Sequence, residues 1–562
     1  MPSSGPVLPY KPTQGNAGVG QQYLQAESAP PGDGWNPVQI VEGFLAANAS
    51  FAGQHQVARE YLAGTEAQTW NPPWSARVFG QVPLISVQSG GGKSDRTAVV
   101  AVSGIVQASV QKTGAYAVPS TARGSQTIDI KLVKVDNQWR ISSPPDYLLL
   151  SAVDFAADYQ SRNLYFFNPA RSSLVADPVY VPLIAASSDP TYLLNGLVDD
   201  LISQPPDWLS GGATVTAFPP GTKLLGVSLA GGTATVNLGG KAMSKAGPRV
   251  LQLLTAQLLW TLIGSGNQPA VQSVALSVDG KPWVPSGGSG VPVQQQSSYK
   301  EYAPPDGGQS SFYYLDSKGD VWRQSGVTGK PAKLWTVPLN GPQLSDIAVS
   351  PDGTYLAGLS GGAVYVGKLG GRLRQRTSGD FTSLSWDSSD QLWLAGALNS
   401  EMLRASGGSA VPVTVMTGGQ FATPVPVPAT ELRVAPDGVR MAVVLQNSEL
   451  SFGAIVNAQT AVSVMLSPFS VTVPHLTGVT WYGANDVIAL SGTGAGAVAT
   501  EYPVNGGTSN KIQSATGMMS VAASWGYPLI ASSANGAMSY NESITGTWVA
   551  LNISGQSPVY PG

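Results

Sequence analysis

The chain has 562 residues, a net charge of −3 and no cysteine; 43% of it is hydrophobic and only 11% is Asp, Glu, Lys or Arg. That length calls for several domains, and the charge balance gives no basic footprint for nucleic acid. Disulfides, thiolate metal sites and thiol catalysis are excluded, and no apolar run reaches the roughly 18–20 residues of a membrane-spanning helix.

The opening "MPSSGPVLPYKPTQGNAGVGQQ" has neither the charged nor the apolar region of a signal peptide. Residues 1–34 therefore read as a flexible Pro/Gly/Gln leader or tether. Order is expected from Trp35. Asn36 caps a helix with Pro37 in its first turn, and Val38, Val41 and Leu45, with Phe44 beside them, form its apolar face. A second helix turns Val57, Tyr61 and Leu62 inward. Strands follow in "VPLISVQ", "RTAVVAVSGIVQASV" and "QTIDIKLVKVDNQWRIS", the last alternating Ile128, Ile130 and Leu132 with Asp129 and Lys131. Helices followed by a curved antiparallel sheet predict an α+β domain over 35–172, like the cone of NTF2-type folds.

A second α+β domain is expected over 173–285. It has the strand "VYVPLIA", a helix starting at Asp189-Pro190 and a hairpin turning at Gly231-Gly232. The stretch "VLQLLTAQLLWTLIG" is too short to span a membrane and is interrupted by Gln252, Thr255 and Gln257. It suits a helix buried against a sheet. Residues 286–310, rich in Gly, Ser, Gln and Pro, read as a linker or a long wrapping connection.

Beyond residue 311 one hairpin is written repeatedly. "LSDIAVSPDGTYLAGLS" (Leu344 to Ser360) and "ELRVAPDGVRMAVVL" (Glu431 to Leu445) share a Pro-Asp-Gly turn. Ala357, Ala395, Ala442, Ala489 and Ala531 recur at intervals of 38, 47, 47 and 42 residues. Such periods, filled with short strands and polar turns, define propeller blades. A lone blade exposes both faces and must stack on neighbours. A propeller of five or six blades is expected over 311–562, with "TWVALN" as a candidate for closing the ring.

No catalytic constellation emerges. "SGGGKSD" (Ser89 to Asp95) has Val87 where a phosphate loop needs glycine, and a strand rather than a helix follows. "KTG" (Lys112 to Gly114) and "SSYK" (Ser297 to Lys300) occur in the reverse of the order used by penicillin-binding enzymes, and the third motif of those enzymes is missing. The only two histidines, His55 and His475, lie far apart and read as surface or structural residues. Asp199 and Asp200 are adjacent on a helix, point about 100° apart and read as a solvated helix end. Asp352 and Asp437 belong to turns, and Trp386, Trp481 and Trp525 to packing between blades. Catalytic, cofactor-binding and metal-ligating residues are thus none, and no cofactor is expected.

"FPPGTKLLGV", "GGTATVNLGG", "AQLLWTL" and "SVDG" (Phe218 to Gly280) resemble the GerMN domain of sporulation and germination proteins. Preceded by "DNQWRIS" and followed by a Pro-Asp-Gly propeller, this domain order resembles the actinobacterial LpqB lipoprotein family. The resemblance implies an exported, non-enzymatic protein, anchored to the outer face of the cytoplasmic membrane by a lipid on an N-terminal cysteine. It also implies binding to the extracellular domain of an MtrB-like sensor histidine kinase, which modulates two-component signalling in envelope homeostasis and division. The sequence carries no such cysteine, and the expectation is that it starts just after one. Two alternatives remain: a cell-wall glycan- or peptide-binding protein, and a TolB-like propeller scaffold.

Overall fold

The computed structural model describes residues 29–562 apart from 49–50, 52–54, 73, 119–124, 184–189, 264–270, 286–291, 340, 399, 405–406, 418–425 and 458–461. Most of the proposed leader, and Asp189 at the expected helix start, lie outside the described residues.

The first helix, Pro37–Asn48, begins where Asn36 and Gln39 cap each other: each backbone N–H donates to the other's side-chain oxygen at 3.0 Å. Its buried face is Ile40, Val41, Phe44 and Ala47, while Val38 and Leu45 are only half-buried. The face is centred about one position away from the expected one. This helix packs on a sheet ordered 138–143, 125–135, 97–110, 76–79, 148–151, antiparallel except for the last pair, which runs parallel. The central strand Thr97–Val110 pairs with Leu84–Gly90 and Ser125–Val135 along its first half, and with Ala76–Phe79 along its second. One strand serving two sets of neighbours has to bend, and the sheet curves around the helices. The α+β cone expected from the sequence is present.

Ser151 then caps the short helix Ala152–Asp158, its hydroxyl accepting from the Asp154 N–H at 3.1 Å. The chain passes directly into the hairpin Tyr159–Phe167/Leu174–Pro182, whose second strand is buried along its whole length. The helix Pro248–Leu262 lies against this hairpin. Its polar residues are satisfied internally: Gln257 Oε1 accepts from the Ala217 N–H at 2.9 Å, and Thr255 Oγ1 donates to the Leu251 carbonyl at 2.7 Å. The sheet beyond it is ordered 223–230, 233–239, 273–278, 281–282, and the middle pair runs parallel, as the intervening helix requires. Gly231 and Gly232 turn the first hairpin at φ 56° and 76°, where only glycine sits without strain. Residues 293–302 wrap back onto this domain. Val293–Gln294 pairs with Ser273–Val278, and Tyr299 and Tyr302 are buried in the core shared with the helix.

Among the described residues the propeller has six blades. Four are separate four-stranded sheets, and the third and fourth are joined by a parallel pairing of their outer strands, Val411–Met416 and Val462–Thr472. All five recurring alanines lie on second strands and are at most 1% exposed, because the adjoining blade leaves no room there. The ring is not closed by "TWVALN", which runs into the outer strand Val549–Ser554 of the sixth blade, where four of the six residues are exposed. The closing strand is Gln556–Val559, which becomes the innermost strand of the first blade beside Ser311–Leu315.

Candidate binding site at the three-domain junction

The motifs weighed from the sequence fall apart in space or into turns. Ser89–Asp95 is the end of the strand Leu84–Gly90 and the turn after it, where Asp95 Oδ2 accepts the Gly92 N–H at 2.8 Å. Lys112–Gly114 is also a turn, and the Gly114 carbonyl accepts the Tyr180 N–H at 2.8 Å, tying the first domain to the second. Ser297 and Lys300 sit on the helical segment Gln296–Tyr302 of the second domain. His55 is buried between Phe51 and Trp70, with ring centroids 4.7 and 5.6 Å away. His475 is exposed at the start of the fifth blade. Asp352 and Asp437 spend their oxygens on their own turns, accepting from Thr354 N–H at 2.9 Å and Arg440 N–H at 2.8 Å.

Trp386 and Trp481 do pack between blades, and each donates its indole N–H to the preceding blade's inner strand: to Ala348 O at 3.1 Å and Arg433 O at 2.8 Å. Trp525 also packs on the preceding blade, edge-on to Tyr482 and against Gly483, but it lies beyond the strand Met518–Ala522 and is 48% exposed.

Asp200 is not part of a solvated helix end. It is half-buried and feels the charge of Asp177 on the buried strand Leu174–Pro182. Burial first, then Asp199 and Asp177, push its carboxyl up to about 7. Asp177 is raised to about 7 by burial, against the opposing pull of Arg440 and a hydrogen bond from Trp208. Arg440, at the tip of the fourth blade, pairs with Asp437 at 2.6 Å and also donates to the Ala484 carbonyl. Around these charges Val175, Trp208, Leu209 and Ala213 of the second domain pack against Val439 and Ala454 of the propeller. Apolar contact seals the interface and the charges are its polar centre.

Beside this contact all three domains meet around a cleft of about 560 Å³. Tyr116 and Phe155 come from the first domain, Tyr159, Ser161 and Tyr180 from the hairpin of the second, and Asn485, Asp486 and Asn505 from turns of the fifth blade. The rings form one cluster, with Phe155 4.9 Å from both Tyr159 and Tyr180, and Tyr116 5.5 Å from Tyr180. Two side-chain hydrogen bonds hold the propeller to the hairpin: Asn505 Nδ2 to Ser161 Oγ at 2.6 Å and Asn485 Nδ2 to Asn163 Oδ1 at 3.2 Å. Gly506, at φ 80°, lets the loop approach so closely that a Cβ there would overlap the Tyr116 ring. Burial lifts the Tyr159 and Tyr180 phenols above their usual range. Asp486 is raised to about 7, chiefly by burial and then by Glu501, with Arg440 opposing.

Sequence reading missed this site because its parts are hundreds of residues apart. One signal was available: Asp177 is an acid in the middle of the apolar run "LVADPVYVP", and such a residue is buried only with partners.

Fold and junction define a three-domain protein in which a six-bladed propeller is docked on two α+β domains. Residues 30–156 match the N-terminal domain of lipoprotein LpqB, 163–284 match the domain described as sporulation and spore germination, and 319–561 match the LpqB β-propeller domain. The chain belongs to the LpqB lipoprotein family. It is 29% identical to lipoprotein LpqB of Thermobifida fusca over 620 residues, covering 100% of this chain and 96% of that protein. It is also 29% identical to lipoprotein LpqB of Streptomyces coelicolor over 617 residues, covering 100% and 95%. Among solved structures, TolB from Acinetobacter baumannii aligns over 45% of this chain and 66% of that one, at 13% identity and a TM-score of 0.33, too distant to carry an argument.

Proposed function

We propose that this protein is a non-enzymatic, extracytoplasmic, lipid-anchored accessory protein that binds the extracellular domain of an MtrB-like sensor histidine kinase and tunes its signalling. The observation that carries the proposal is the whole-length match to proteins named lipoprotein LpqB, with the family's domains in order. The docked architecture is consistent with it. The apolar contact between Val175, Trp208 and Leu209 and the blade residues Val439 and Ala454 holds second domain and propeller together. A partner would therefore meet one continuous surface rather than three mobile modules. Such binding alters signalling only by favouring one state of the sensor over the other. Among the described residues no helix is long and apolar enough to cross a membrane; the proposed attachment, by a lipid on an N-terminal cysteine, rests on the relatives being named lipoproteins.

The test is calorimetric titration of the full chain with the purified extracellular domain of the sensor kinase from the same organism. Micromolar or tighter binding supports the proposal. No heat, with no co-elution at high concentration, sinks it and turns attention to cell-wall glycan or peptide.

A further inference from the structure

We propose that the three-domain cleft is a binding site for a small ligand bearing a primary ammonium group, such as an alkyl amine or an exposed lysine-like side chain. This inference is independent of sensor binding and rests on what the cleft offers a guest.

Two adjacent residues of the fifth blade bring acceptors to the cleft. Asn485 lines the cleft, and its buried Oδ1 has no hydrogen-bond partner among the described residues, while the same side chain's Nδ2 is committed to Asn163. The carboxylate of the next residue, Asp486, also lines the cleft. Asn505 is already occupied, its amide nitrogen by Ser161 and its oxygen by the Gly507 N–H at 3.1 Å. An ammonium group has three N–H donors and no acceptor, which is the complement of a carboxylate beside an unpartnered amide oxygen.

The charge points the same way. None of the residues lining the cleft is basic. Arg440, the cation that acts on Asp486, is held by Asp437 and by the Ala484 carbonyl. Glu501, which also acts on Asp486, adds like charge and engages Asn510 at 2.9 Å. A lining with an acid and no basic residue favours a cationic guest over carboxylates and phosphates.

The wall supplies the rest. Tyr116, Phe155, Tyr159 and Tyr180 make an aromatic lining continuous across two domains. Aromatic rings attract cations through their electron-rich faces and accommodate a methylene chain by apolar contact. A volume of about 560 Å³ suits a guest of small-molecule size. Because the walls come from all three domains, an occupied cleft would also bind them more tightly together.

The experiment is calorimetric titration of the full chain with 1,5-diaminopentane, with 1,5-pentanediol as the uncharged control of the same length and a chitin trisaccharide as a neutral glycan. The expected result is saturable binding of the diamine below millimolar Kd, with none of the diol or the trisaccharide. D486N should weaken diamine binding at least tenfold while its near-ultraviolet circular dichroism matches the parent. F155L, which keeps an apolar side chain, should weaken it less. The proposal is overturned if the diamine gives no saturable heat, if D486N binds it as well as the parent does, or if the diol or the trisaccharide binds equally.

Discussion

Arg440 donates from Nε to Asp437 Oδ2 at 2.6 Å, and both side chains are at most 3% exposed where the fourth blade meets the second domain. The pair is built by the Pro-Asp-Gly turn that also shapes the second blade, yet the two turns have different surroundings. Asp352 is exposed and bonded locally to Ser350 and Thr354. Removing Asp437 takes from a guanidinium in a sealed interface the carboxylate it is paired with, at a cost of about 3–5 kcal/mol. Removing Asp352 costs no more than about 1 kcal/mol. Denaturant unfolding of D437A and D352A should show that contrast, and D437A/R440M should recover much of the loss. Equal losses for the two single variants would mean that Arg440 is not buried as described.

Gly196 sits inside the helix Thr191–Ile202, where alanine would ordinarily add about 1 kcal/mol of stability. Here a Cβ would overlap the Trp74 ring, which reaches over from the first domain and bonds Tyr192 Oη through its indole N–H at 3.3 Å. G196A is therefore expected to lower the melting temperature, and G196A/W74L to lower it by less than the two single changes summed. A melting temperature raised by G196A would show that the two domains do not approach so closely.

Local periodicity explains what the sequence made legible. Ala357, Ala442 and Ala489 repeat because every second strand meets the same crowded neighbour. The helix Pro248–Leu262 is apolar on nearly all sides because it is covered on nearly all sides. The closing strand was hidden. Gln556–Val559 is four residues long with only Pro558 buried, and its place is set by pairing with a strand some 240 positions earlier. Asp200 was misread because adjacency to Asp199 says where it does not point, and not that Asp177 lies on the other side. The cleft is a relation between residues near 116, 155, 180 and 486 on separate elements, and no window of sequence contains it.

Ring closure by Gln556–Val559 makes the last residues structural. Without them the strand Ser311–Leu315 becomes an unpaired inner edge, the kind of edge that templates aggregation. The chain also ends by bonding outward: the Gly562 N–H donates to Val349 O at 3.0 Å in the second blade, and Tyr560 Oη to Pro528 O at 2.6 Å. A chain stopped after Gly555 should elute as oligomers and be cut by protease within the propeller, while one stopped after Pro561 should stay close to the full chain. A monomeric, protease-resistant product from the first truncation would place closure elsewhere.

Asp200 gives stability a pH dependence opposite in sign to that of an ordinary paired carboxylate. Its folded-state pKa, about 7, lies above the roughly 3.9 of an unfolded aspartate. Between those values the folded chain holds a proton that the unfolded chain has released. The stabilisation is complete below the unfolded pKa and is lost as pH rises towards 7, above which the folded state carries the charge beside Asp199 and Asp177. D200N keeps the shape and removes the ionisation. Its melting temperature should therefore exceed the parent's at pH 8 by a few degrees, at about 2–4 °C per kcal/mol, and the gap should shrink towards zero at pH 4. A difference independent of pH would mean that Asp200 ionises freely and does not face the buried acid of the neighbouring strand.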